Sequence, residues 1–162
     1  MQLGLRNMAT VYLIKGDKVL LLFRQGGSVV NNVYTGSAGG HFEKDELNDP
    51  KACVLRELRE ETSLTEKDVT NLSLRYITMR NVNGEIRQNY YFFADLVSDN
   101  IDELKSNEGQ LEWFTFEEAE LLEMPFTAKF IFEHYIKIGR FDRNLYGGVA
   151  TSSGLSFICM DE

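Results

Sequence analysis

Residues 39–64 read GGHFEKDELNDPKACVLRELREETSL. Two glycines open the stretch, an Asp-Pro step divides it, and its end crowds Arg56, Glu57, Glu60 and Glu61 into six positions. Asp49 suits a helix N-cap and Pro50 a first helical residue, so a helix is predicted from about 50 to 62. On that helix Ala52, Leu55, Leu58 and Thr62 share one side, while Glu57, Glu60 and Glu61 share the opposite one. The glutamates are neighbours at i, i+3 and i, i+4 spacing. Like charges so placed repel, and more strongly where burial strips their water. A hard divalent cation reverses that sign, because Mg²⁺ accepts carboxylate oxygens, keeps some waters and completes its shell with phosphate oxygens. The plain alternative is a solvated acidic face. Three features favour the cation: Arg56 can pair with and orient a carboxylate, Gly39-Gly40 permit close backbone approach, and Glu46 adds a carboxylate upstream.

Working outward, residues 8–25 form two apolar, β-branched runs joined at Gly16-Asp17, a β-hairpin pattern. The Gly-, Ser- and Asn-rich segment 26–42 reads as a loop with a short strand before the paired glycines. After the helix, strands 72–82 and 85–97 flank Asn83-Gly84, the strongest hairpin signal in the chain. The second carries aromatics on both faces, which suits a central position in a covered sheet. QLEWFTF (110–116) reads as a last core strand and EEAELLEM (117–124) as a short helix. Residues 126–139 are apolar at helical spacing after Pro125. The tail from 139 to 162 shows no readable role. With no repeat and no long linker, one domain spanning 1–162 is expected, with its core at about 8–138.

The formal charge of −8 argues against a nucleic acid polymer as partner, since such binding runs on clustered Lys and Arg. It leaves room for a small phosphorylated ligand bridged by a cation. No run reaches the roughly 18 apolar residues of a membrane helix, and no leader resembles a signal peptide. Cys53 and Cys159 lack metal-ligand spacing, as do His41 and His134. A cytoplasmic protein with reduced thiols, monomeric or homodimeric, is the expectation.

Gly40, five residues, Glu46, and then RELREETSL from Arg56 resemble the Nudix box: Gly, five residues, Glu, seven residues, Arg-Glu-aliphatic-any-Glu-Glu-any-Gly-aliphatic. Two departures stand out. Nine residues separate Glu46 from Arg56, which leaves the role of Glu46 open, and Ser63 replaces the usual glycine. The resemblance runs through about residue 138 and implies an α/β/α sandwich with a mixed β-sheet between helices. It implies Glu57, Glu60 and Glu61 as ligands of Mg²⁺ or Mn²⁺, with the Gly39 carbonyl a further ligand and Arg56 orienting the glutamates.

Such a site suits hydrolysis of a diphosphate linkage, with a carboxylate taking the proton of the attacking water. Glu60 is the first candidate base by its position in the box. Glu108, in the loop before QLEWF, is the second, because family members often supply a base from that region. Gly40 would approach the substrate, Arg24 meet a phosphate and Tyr34 stack on a base. The early hairpin, the glycine-rich approach and the compact length look most like the MutT-type branch, which hydrolyses nucleoside triphosphates, oxidised purine forms included. The proline that often follows the box in ADP-ribose hydrolases is absent. A non-catalytic Nudix-like regulator is a weaker alternative, because the box glutamates are retained. So is an isoprenoid diphosphate isomerase, because no cysteine signature precedes the box.

Overall fold

A computed structural model describes residues 3–26, 32–98 and 103–160. The chain runs β1 (Gly4–Lys15), β2 (Lys18–Arg24), β3 (Val33–Thr35), β4 (Ala38–His41), α1 (Pro50–Thr62), β5 (Val69–Val82), β6 (Glu85–Leu96), β7 (Gly109–Thr115), α2 (Phe116–Glu120), α3 (Phe126–Lys137), β8 (Tyr146–Thr151) and β9 (Gly154–Cys159). One mixed sheet joins the strands in the order β3-β2-β1-β6-β5-β8-β9, with β4 also on β1 and β7 on β2. The expected hairpins form at Gly16 (φ +62°) and at Asn83-Gly84 (φ +53° and +84°), where left-handed backbone is needed.

Strand alternation divides the core into two layers. Ala9, Val11 and Leu13 of β1 point to the α1 side with Phe92 and Ala94, where they meet Cys53, Val54 and Leu58. Tyr12 and Ile14 point the other way, with Tyr91 and Phe93, and meet Ile131, Phe132 and Tyr135 of α3. Helices on both faces of a mixed sheet make the expected α/β/α sandwich, with β6 central between β1 and β5.

Asp49 caps α1 by accepting from the Ala52 amide at 3.0 Å, and Pro50 sits in the first turn. At the far end Ser63 adopts φ +64° and donates its amide to Arg59 O. That left-handed cap is the conformation a glycine takes at lower cost. The buried face differs from the one expected. Cys53, Val54, Leu58, Glu61 and Thr62 are buried, whereas Ala52 and Leu55 are only half-buried. The glutamates therefore do not lie wholly opposite the core, because Glu61 belongs to the buried stripe.

Three further differences concern extent. β1 begins at Gly4 and β5 at Val69, earlier than the apolar runs suggested. The paired glycines lie in a strand of their own, β4, following the short strand β3; positions 27–31 of the expected loop lie outside the described residues. β7 is not the last strand, because the tail supplies β8, parallel to β5, and β9 beside it. Buried Arg75 ties this tail down through Asp142 Oδ1 (2.8 Å), Gly139 O (2.7 Å) and Asn144 O (2.9 Å). No helix among the described residues is long and apolar enough to cross a membrane.

Candidate active site

The helix α1 lies against β4, and two glycines set how closely. The Gly39 amide donates to Glu61 Oε2 at 3.3 Å. A Cβ at Gly39 would fall 2.6 Å from Ala9 O, and one at Gly40 only 2.3 Å from Glu57 Oε1. Neither distance is tolerable, so glycine at 40 lets the Glu57 carboxylate reach the strand, while glycine at 39 lets β4 pack closely on β1.

Arg56 organises the charges behind this contact. Its Nε and Nη2 donate to the two oxygens of Glu46 at 2.6 and 2.9 Å, a bidentate pair. Its Nη1 donates to Glu57 Oε1 at 2.8 Å and to Glu60 Oε2 at 3.1 Å, and Nη2 also reaches His41 O at 3.0 Å. The hydrogen bond from Arg56 holds the Glu46 carboxyl down at about 2, against the opposing effect of burial. Glu46 thus orients the arginine that orients the glutamates. Leu47 and Asn48 lie between the short 3₁₀ turn Lys44–Glu46 and the Asp49 cap, and Glu46 still reaches Arg56 across the longer spacing.

Glu61 differs from its neighbours. Burial pushes its carboxyl up to about 8; the Gly39 amide opposes the shift, while Glu57 and Glu108 add to it. The segment carrying Glu108 is pinned to the end of α1, since the Asn107 amide donates to Glu61 O (3.3 Å) and Asn107 Nδ2 to Glu60 O (3.2 Å). Glu108 Oε2 in turn accepts from Arg24 Nη2 at 3.2 Å.

These groups border a cleft of about 380 Å³. Glu61, Gly39, Gly40 and Arg24 line it, so sequence reasoning placed four of its residues. Glu57 lies just behind Gly40, and Glu60 is half exposed and outside the lining. Tyr34 is not brought into the cleft lining. It packs on Phe23 and Phe114, with ring centroids 4.9 and 5.1 Å away. Position beside a glycine loop did not reveal that the ring has apolar partners of its own. Sequence reasoning also missed Arg6, His41, Arg80, Arg87 and Asn89, all in the lining. The two-residue period of EIRQNYYFF, which puts Arg87, Asn89 and Tyr91 on one face, carried that signal.

Among the described residues, no three His, Cys, Asp or Glu side chains converge as a ready metal cage. The donor set nevertheless fits a hard divalent cation. Three carboxylates on adjacent turns of α1, the backbone of Gly39 and the charge crowding around buried Glu61 supply oxygen ligands and a reason for a cation to bind.

Residues 4–134 match the family model described as NUDIX domain. Among solved structures, the mutator MutT protein from Bacillus halodurans is 25% identical, over 97% of this chain and 99% of its own, with a TM-score of 0.68. The MutT protein from Methanosarcina mazei Go1 is 18% identical over 86% of this chain and 99% of its own, with a TM-score of 0.66. An Ap4A hydrolase from C. elegans, in a binary complex, also shows 18% identity over 86% and 99%, with a TM-score of 0.63. At 18% identity the likeness is one of fold. The family match spans most of the chain and includes every residue of the box, so the chain belongs to the Nudix family, in its MutT-like branch, and is a hydrolase of pyrophosphate bonds.

Proposed function

We propose that this hydrolase, with Mg²⁺ or Mn²⁺ bound, cleaves a diphosphate linkage in a nucleoside triphosphate or a related nucleoside diphosphate derivative, a triphosphate giving the monophosphate and pyrophosphate, with oxidised purine nucleotides among its candidate substrates. The observation that carries the reading is the juxtaposition at one end of the cleft. The buried Glu61 carboxylate and the Gly39-Gly40 backbone stand there, bordered by the Arg24–Glu108 pair. A cation bound by Glu57, Glu60, Glu61 and the Gly39 carbonyl would neutralise phosphate oxygens and acidify a water. Arg56, itself fixed by Glu46, holds Glu57 and Glu60 in place. Arg24 meets a phosphate, and Gly40 leaves room for it.

Two carboxylates remain as the base. Glu108 reaches the border of the cleft through its pairing with Arg24, and its side chain is nearly as exposed as that of Glu60. Glu60 stays the first candidate by its position in the box, and Glu108 the second by its pairing with a cleft arginine. The reading includes a cytoplasmic monomer or homodimer, supported by two cysteines that are both thiols. Product analysis tests it. Monophosphate and pyrophosphate are expected, and release of diphosphate and orthophosphate overturns it.

A further inference from the structure

The end of the cleft away from Glu61 has a feature that cleavage of a simple triphosphate does not require. Arg6 of β1 is in register with Arg87 of β6, and Arg87 is in register with Arg80 of β5. Three arginines therefore form one row across three neighbouring strands, about 4.8 Å apart at the backbone. All three line the cleft, on the sheet face that continues toward the α3-side core. Like charges directly opposite one another on paired strands destabilise a sheet, and this chain is otherwise strongly acidic.

The row is under-neutralised. Glu85 Oε1 accepts from Arg87 Nε at 2.8 Å and lies 3.9 Å from Arg6 Nη1, so one carboxylate serves two guanidiniums. Arg6 Nε donates to His41 Nε2 at 2.7 Å, a contact that needs an unprotonated ring nitrogen and adds no negative charge. Arg80 lies over the Phe126 ring, 4.4 Å from its centroid, and no described carboxylate pairs with it. The Phe126 face holds the guanidinium in place without cancelling its charge. Three cations against one carboxylate, beside an open cleft, form a preorganised anion site.

Its position sets what it can bind. Gly39 pairs with Thr10, four residues along β1 from Arg6, which places the row roughly 13 Å from the glycine contact with Glu61. That separation is between backbones, and the Arg6 guanidinium reaches back to His41 beside Gly40; Arg87 and Arg80, one and two strands further from β4, mark the end of the cleft remote from the scissile phosphates. We propose that Arg6, Arg80 and Arg87 form a second phosphate site, and that the substrates this enzyme prefers carry a further phosphate group remote from the bond it cleaves. The proposal rests on the reading of Glu61 and Gly39 as the scissile end. The additional phosphate can come from a phosphomonoester on a sugar or from a longer polyphosphate chain, and both present the same chemistry to the row.

Two matched series distinguish these sources. NADH against NADPH and dephospho-coenzyme A against coenzyme A differ by one sugar phosphate. ATP against adenosine tetraphosphate, and diadenosine triphosphate against tetraphosphate, differ in chain length. With Mg²⁺, kcat/KM is expected to favour the phosphate-richer member at least tenfold in one series. That ratio should collapse to within about twofold in Arg80→Gln and in Arg87→Gln, and Arg87→Lys should recover part of it. Thermal midpoints of these variants should change little, since the lost contacts with Glu85 and Phe126 are offset by relieved repulsion along the row. Equal losses on both members of every pair would assign the arginines to the scissile phosphates and overturn the proposal while sparing the proposed function. Absence of hydrolysis across the panel would instead count against the proposed function. Calorimetry with inorganic tripolyphosphate then decides the anion site, which survives only if wild type binds it at least tenfold more tightly than Arg80→Gln.

Discussion

Arg56 grips Glu46 through two parallel hydrogen bonds of 2.6 and 2.9 Å, although nine residues separate them. The pair turns an apparent irregularity of the box into a rigid brace. Glu46 has a folded value of about 2 against an ordinary 4.5, so its contribution to stability is present above pH 4.5 and is lost as the pH falls through about 2. Glu46→Gln should cost about 3 kcal/mol at pH 7, because it leaves Arg56 short of a partner in a largely buried site. In chemical denaturation across pH, the gap between wild type and variant should narrow below pH 4.5. A gap independent of pH would rule the brace out.

Glu61 has the opposite sign. Its folded value of about 8 lies above the ordinary 4.5, so metal-free protein keeps this stabilisation below pH 4.5 and loses it as the pH rises through 8. Melting temperatures measured in chelator should fall between pH 5 and 8 in wild type, and should stay level across that window in Glu61→Gln.

Glu60→Gln should lower kcat by roughly 10²-fold, the scale of a lost metal ligand or proton acceptor. Its half-exposed side chain predicts a stability change within about 0.5 kcal/mol. Steady-state kinetics with a parallel denaturation curve separates the two effects. Chelator should abolish turnover in wild type, and added Mg²⁺ or Mn²⁺ should restore it.

The glycines of β4 should divide function from folding. At Gly40 the obstructed atom is the end of the Glu57 side chain, which can swing aside, so Gly40→Ala should fold and lose activity. At Gly39 the obstruction is the backbone oxygen of Ala9, so Gly39→Ala should be the less stable of the two. Thermal denaturation of both variants alongside their turnover provides the comparison.

Ser63→Gly should stabilise the protein by about 1 kcal/mol, because glycine takes the left-handed cap without the Cβ penalty. Turnover should be unchanged. In the same region, deleting Leu47 and Asn48 should alter activity modestly, whereas deleting two residues within Lys51–Leu55 should abolish it by rotating the glutamates away from β4. Equal tolerance of both deletions would contradict the register argument.

The parts of this molecule legible in its sequence are those whose signals are local. Asp49-Pro50 set the start of α1, Asn83-Gly84 fixed a hairpin, and Arg56 through Glu61 matched a family pattern position by position. The docking of the tail could not be read because β8 meets β5 through parallel pairs such as Tyr76 with Tyr146, far apart in sequence; the β8–β9 hairpin across Thr151 and Gly154 is local and was overlooked. The arginine row was hidden for a related reason. Arg6, Arg80 and Arg87 become neighbours only once the register of three strands is known. Glu61 was found but misplaced, since a helical wheel shows which residues share a side and not which side the sheet will cover.

The parallel pairing of β1 with β6, continuous from Gly4 with Glu85 to Ile14 with Asp95, also bears on how the chain assembles. During synthesis β1 emerges before its partner strands and can fold back on β2, yet its other edge stays open until β6 has left the ribosome. Such distant pairings carry a large loop-closure cost and form slowly. The early hairpin therefore spends its first seconds as an exposed, apolar strand edge, the kind of surface that invites wrong partners. The same late event aligns Arg6 with Arg87, so a nascent chain has no row of arginines to offer an anion until its sheet is nearly closed.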